Sequence, residues 1–104
     1  DAHYAYGKYA VYPGHNFTRL LTPFTEGAFK LQGKTKMSAA VMPYYTISFN
    51  QDAKRGENVA NNYNAYIIND LLRNKYHFDG VVCTDWLVTG DETAIDQFLS
   101  GKSW

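Results

Sequence analysis

Three short apolar runs in this chain show no apolar/polar alternation: Tyr9-Ala-Val-Tyr12, Ala39-Ala-Val-Met42 and Val81-Val-Cys83. A strand with one wet face alternates, whereas a strand covered on both faces does not. Two helical patterns lie between the runs. The first starts at Thr22-Pro23, with threonine placed to cap and proline at the first helical position, and carries Phe24, Ala28 and Leu31. The second spans about Asn62 to Tyr76, where Tyr63, Ile67 and Leu71 recur every four residues beside Tyr66, Ile68 and Leu72. Asp79-Gly80 then turns the chain into the third run. Parallel strands need crossover helices, so the order strand, helix, strand, helix, strand predicts an α/β fold with a parallel sheet.

The strand centres fall about 30 and about 41 residues apart, near the roughly 31 residues per unit of a (β/α)₈ barrel. The expected fold class is therefore a partial (β/α)₈ TIM barrel of about three βα units. The 104 residues amount to one small domain at most. The opening DAHYAYGKYAVY and the closing SGKSW suggest a piece of a longer chain. The polar stretch Ser48 to Asn62 follows the carboxyl end of the second run, the side on which such folds carry their sites, and is expected to be a long loop.

Ten basic and ten acidic side chains balance, which removes the electrostatic reason to propose nucleic acid or an anionic membrane as a partner. No apolar run approaches the roughly 20 residues that span a bilayer. Cys83 is the sole cysteine, so no disulfide forms within the chain, and its apolar setting predicts a buried, inert thiol. His3 and His77 have no metal-ligand spacing to each other or to Cys83, and no metal or cofactor is expected. GAFKLQGKT, Gly27 to Thr35, is one residue too long for a phosphate-binding loop and follows a helix start, not a strand.

Asp85 stands just past the third run, next to Trp86. It is either a turn or capping residue or a carboxylate held at the rim of a cleft beside an apolar platform, the arrangement a nucleophile for a sugar requires. The run INDLLRNKYHFDGVVCTDW, Ile68 to Trp86, strongly resembles the nucleophile segment of glycoside hydrolase family 3. AAVMPYYT, Ala39 to Thr46, resembles the preceding strand of that family, and Pro23-Phe24 fits the helix before it. The resemblance covers most of the chain from about Tyr9 onward.

The resemblance implies that residues 1–104 are a segment of the family's amino-terminal catalytic barrel. It implies a retaining exo-glycosidase that removes terminal β-D-glucosyl or related residues from oligosaccharides. Asp85 matches the nucleophile, Trp86 walls the subsite for the terminal sugar, and Tyr45 matches the strand-end tyrosine, which reads equally as a core residue. The family's Lys-His-Phe triplet is altered here to GKYAVYPGHN, Gly7 to Asn16. Lys8 matches either its lysine, with Tyr9 replacing or following a deleted histidine, or its histidine. His15 is expected to be a solvated loop histidine. Asp91 and Glu92 are expected to be loop or capping acids, so the acid/base group lies elsewhere in the parent, and the isolated 104 residues are expected not to turn over a glycoside. The remainder of the parent chain is thus an implied partner, and a periplasmic or extracellular location is implied. A catalytically silent carbohydrate-binding barrel and a phosphorylase-like variant are the alternatives, the first motivated by the altered triplet.

Overall fold

The computed structural model describes residues 7, 9–44 and 46–83. Seven elements organise them: β1 (Tyr9–Ala10), α1 (Phe17–Leu20), α2 (Pro23–Ala28), β2 (Ala40–Val41), β3 (Ile47–Ser48), α3 (Tyr66–Lys75) and β4 (Val81–Val82). Both strand pairings are parallel. β1 pairs with β3, Tyr9 opposite Ile47, and β2 pairs with β4, Ala40 opposite Val81. The run from Ala40 to Ser48 therefore engages two different partners through its two ends. Parallel pairing is present, but in two separate pairs: among the described residues the first run pairs with β3 and not with the second run. The expected cover on both faces is not seen: Tyr9 is 48% exposed, Met42 47% and Val81 61%. These side chains project from faces that nothing covers among the described residues.

The core lies between α2, α3 and the β2–β4 pair. Phe29, Leu72 and Phe78 are buried there, with Met37, Val41, Tyr76 and Val82 packed against them. The Phe29 and Phe78 rings sit 5.5 Å apart and tilted by 32°, an offset arrangement that aromatic pairs favour. A second buried group, Ile47, Val59, Ala60 and Tyr63, closes under the loop, where Ile47 bridges Ala60 in antiparallel fashion.

Several local expectations change. The chain is already helical at Thr22, so Thr22 cannot act as an extended N-cap; its hydroxyl donates to the Arg19 carbonyl at 2.5 Å instead. Leu31 lies beyond α2 and is exposed. α3 begins at Tyr66, not near Asn62, because Asn61–Tyr63 form a separate 3₁₀ turn and the Asn64 side chain accepts the Ile67 N–H at 3.1 Å. Both α2 and α3 contain wide i→i+5 turns, such as Tyr76 N–H to Leu71 O at 2.9 Å. The loop begins after Ser48, which is buried within β3. Cys83 is half-buried, not buried, and its Sγ lies 3.6 Å from the Val41 carbonyl.

α3 ends on a left-handed residue. His77 has φ 56° and is exposed, and the following Phe78 N–H returns to Leu72 O at 3.0 Å. Glycine takes this reversal without a Cβ penalty. His77→Gly in the full-length parent is expected to raise stability by about 1 kcal/mol, read as a higher Tm.

Candidate active site

All four residues expected at the site, Lys8, Tyr45, Asp85 and Trp86, lie outside the described residues, as do Asp91, Glu92 and His3. The structure describes what leads to them. β4 is held to β2 by Val81 N–H to Ala39 O and Cys83 N–H to Val41 O, both 3.0 Å. Two devices fix the start of β4. The Arg73 guanidinium, reaching back from α3, donates through Nη1 to Phe78 O at 2.9 Å and to Gly80 O at 2.8 Å. Its central carbon is 5.6 Å from the Phe78 ring centroid, within cation–π range. Gly80 is the second device: a Cβ there would overlap the Ala39 carbonyl oxygen and come within 2.7 Å of Phe78 Cζ. The backbones approach so closely that only glycine fits.

The loop after β3 is tied down by carboxylates. Asp52 is buried, and its Oδ1 accepts the backbone N–H of Lys54 at 3.0 Å and of Arg55 at 2.9 Å, shaping a tight turn. Gly56, with φ 67°, completes that turn by donating to Asp52 O. The turn presents two cations to α3: Lys54 Nζ meets Asp70 Oδ1 at 2.9 Å, and Arg55 Nη1 meets Asp70 Oδ2 at 2.8 Å. Sequence reading missed this tether; its signal is a lone acid, Asp70, among Ile67, Ile68, Leu71 and Leu72, opposite an adjacent Lys-Arg pair.

The hydrogen bonds from Arg55 and then Lys54 hold the Asp70 carboxyl below its ordinary range, and the bond to Asp70 raises Arg55. A carboxylate with a depressed folded-state pKa stabilises above its unfolded value and loses that contribution as pH falls through the folded one. Both cations are substantially exposed, so the effect is local. Amide-exchange protection of residues 52–58 is expected to hold from neutral pH down to about pH 4 and to fall below it. Asp70→Asn is expected to show the low protection already at pH 7.

A cavity of about 260 Å³ opens between the helices and the Ala40–Ser48 run, lined by Phe17, Leu21, Phe24, Leu71 and Tyr76 among others. Its polar edge is a short relay in which Ser48 Oγ donates to Asn61 Oδ1 at 2.7 Å, with the Tyr12 hydroxyl 3.4 Å from Ser48. Among the described residues no aspartate or glutamate lines it. Among the described residues no group of three His, Cys, Asp or Glu is placed to hold a metal. His15 is exposed at the end of a short 3₁₀ turn, Pro13–His15, and Gly27 lies inside α2. None of the described helices is long and apolar enough to cross a membrane.

Comparison with known proteins adds names. The chain is 38% identical over 104 residues to a probable beta-glucosidase C of Aspergillus oryzae, covering 100% of this chain and 15% of that protein. It is 41% identical over 93 residues to a periplasmic beta-glucosidase/beta-xylosidase of Dickeya chrysanthemi, covering 88% of this chain and 13% of that protein. It is 37% identical over 106 residues to beta-glucosidase C of Emericella nidulans, again covering 100% of this chain and 15% of that protein. The chain thus spans 13 to 15% of the length of these curated relatives. No protein-family model matches it, and no solved structure matches it.

Proposed function

We propose that this chain is the nucleophile-bearing segment of a β-glucosidase of glycoside hydrolase family 3, folded in the parent as part of a (β/α)₈ barrel. The observation that carries the reading is likeness along the entire chain to proteins named beta-glucosidases, at 37 and 38% identity. The parallel β2–β4 pair agrees with it. Val82 is level with Val41, and Asp85 follows Val82 by three residues as Tyr44 follows Val41, so Tyr45 and Asp85 both come after the carboxyl end of one parallel pair. Lys8 immediately precedes Tyr9, whose partner Ile47 stands two residues after Tyr45.

In this reading Asp85 attacks the anomeric carbon through an oxocarbenium-like transition state and forms a glycosyl ester. A second carboxyl group, supplied by the rest of the parent at roughly 5–5.5 Å, first protonates the leaving oxygen and then activates water, so the configuration is retained. Trp86 gives the sugar ring an apolar wall, and Tyr45 and Lys8 hold its hydroxyls. The substrates are β-glucosides or related glycosides in the periplasm or outside the cell, and the 104 residues alone lack the acid/base group.

The test treats the full-length parent with a 2-deoxy-2-fluoro-glucoside carrying a good leaving group, followed by peptide mapping. A label on Asp85 supports nucleophile, retention and glucoside class together. A label on a different carboxylate removes the assignment. Glucose binding without any label points to a silent binding barrel.

A further inference from the structure

We infer that Arg73 is a positioning residue for the reaction, setting the depth at which β4 delivers its carboxyl-terminal end, and so the reach of Asp85. The inference rests on the reading of Asp85 as nucleophile. A basic side chain at a helix end ordinarily serves that helix's own last carbonyls. Arg73 reaches past them: its Nη1 holds the carbonyls of Phe78 and Gly80, one on each side of Asp79, outside α3 altogether. The guanidinium lies over the Phe78 ring, and Phe78 is buried at 1% exposure in the Phe29–Leu72 cluster, so the clamp is anchored on the rigid part of the molecule.

The consequence is mechanical. After Gly80 the strand is held to β2 by the two hydrogen bonds from Val81 and Cys83. Asp85 comes five residues after Gly80 and two after Cys83. A slip at Gly80 shifts Val81 and Cys83 against β2, and the chain that continues from Cys83 starts from the shifted position. Catalytic groups tolerate little of this: a misplacement of about 1 Å costs on the order of 10²-fold in rate. Gly80 sets the same root from the other side, since its missing side chain lets the turn sit against Ala39.

The test uses the full-length parent carrying Arg73→Met, Arg73→Lys or Gly80→Ala, with kcat expressed per active site titrated by the fluoroglucoside burst. Arg73→Met is expected to lose on the order of 10²-fold in kcat per titrated site, with KM within about threefold, because ground-state contacts to the sugar are untouched. Arg73→Lys, which keeps a cationic donor within reach of the two carbonyls, is expected to regain about tenfold of that loss. Gly80→Ala, which displaces the root while keeping the Arg73 side chain, is expected to lower kcat in the same way. If the Met variant does not accumulate as folded protein, the Lys variant decides. A per-site kcat equal to wild type in Arg73→Lys and Gly80→Ala overturns the inference, even when Tm falls, since stability alone changes the number of sites and not their rate. Wild-type enzyme labelled at another carboxylate sinks the nucleophile reading and this inference together; wild type labelled at Asp85 beside variants with unchanged per-site rates sinks the inference alone.

Discussion

Asp85→Gly in the full-length parent is expected to lower kcat for an aryl β-glucoside by at least about 10⁴-fold, the scale on which removal of a catalytic nucleophile acts. In the proposed mechanism Asp85 alone forms the glycosyl ester, so the effect is large. Replacing its side chain with hydrogen opens a space for a small anion. Azide entering that space attacks directly, with the acid/base group still protonating the leaving oxygen. It is expected to restore turnover, with α-glucosyl azide as the product. One displacement inverts where two displacements retain, so the product's configuration reports the missing step. Measured by product NMR, a β-configured azide, or residual activity within tenfold of wild type, removes Asp85 from the nucleophile's role.

Phe78→Ala carries the largest expected loss of stability. Phe78 is 1% exposed, packs against Phe29 at 5.5 Å and lies beneath the Arg73 guanidinium. Truncating a buried phenylalanine costs about 3–5 kcal/mol, of which part is the cavity left behind. Here the hole opens in the Phe29–Leu72–Phe78 cluster, where α2, α3 and β4 meet. Urea unfolding of the parent is expected to show a first transition at lower denaturant, and a shift of under about 1 kcal/mol contradicts this account of the core. Phe78→Leu, which refills most of the volume, is expected to lose less than half as much.

Much of the scaffold was legible because apolar spacing reports burial. Ile67, Ile68, Leu71 and Leu72 announced α3, and the unalternating Ala40-Val41 and Val81-Val82 announced a parallel pair. The entry into β4 was legible from Asp79-Gly80, although the reason for glycine at 80 was not: it lies in the approach of the Ala39 backbone, which is a long-range contact. β3 was hidden because Thr46 and Ser48 are polar; Ser48 is buried through a hydrogen bond to Asn61 that no local pattern reveals. The start of the first helix was misplaced because Thr22-Pro23 resembles a helix start while the chain is already helical from Phe17. The wide turns of α3 leave no trace in composition. For the site, the motif around Asp85 was readable as a resemblance. The Asp70 tether was not, since pairing of residues 15 and 16 positions apart depends on how the loop folds back.

The two strand pairings also set a timetable for synthesis. Tyr9 waits for Ile47 and Ala40 waits for Val81, so among the described residues neither parallel pair joins near neighbours. At about 5–20 residues per second on the ribosome, β1 stays unpaired for ~2–8 s after it is made. During that interval α1 and α2 can form beside it. The exposed Tyr9 and Val11 are thus held open while translation proceeds, and codon pace between residues 11 and 47 becomes part of what decides whether the nascent chain pairs with itself or with a neighbour.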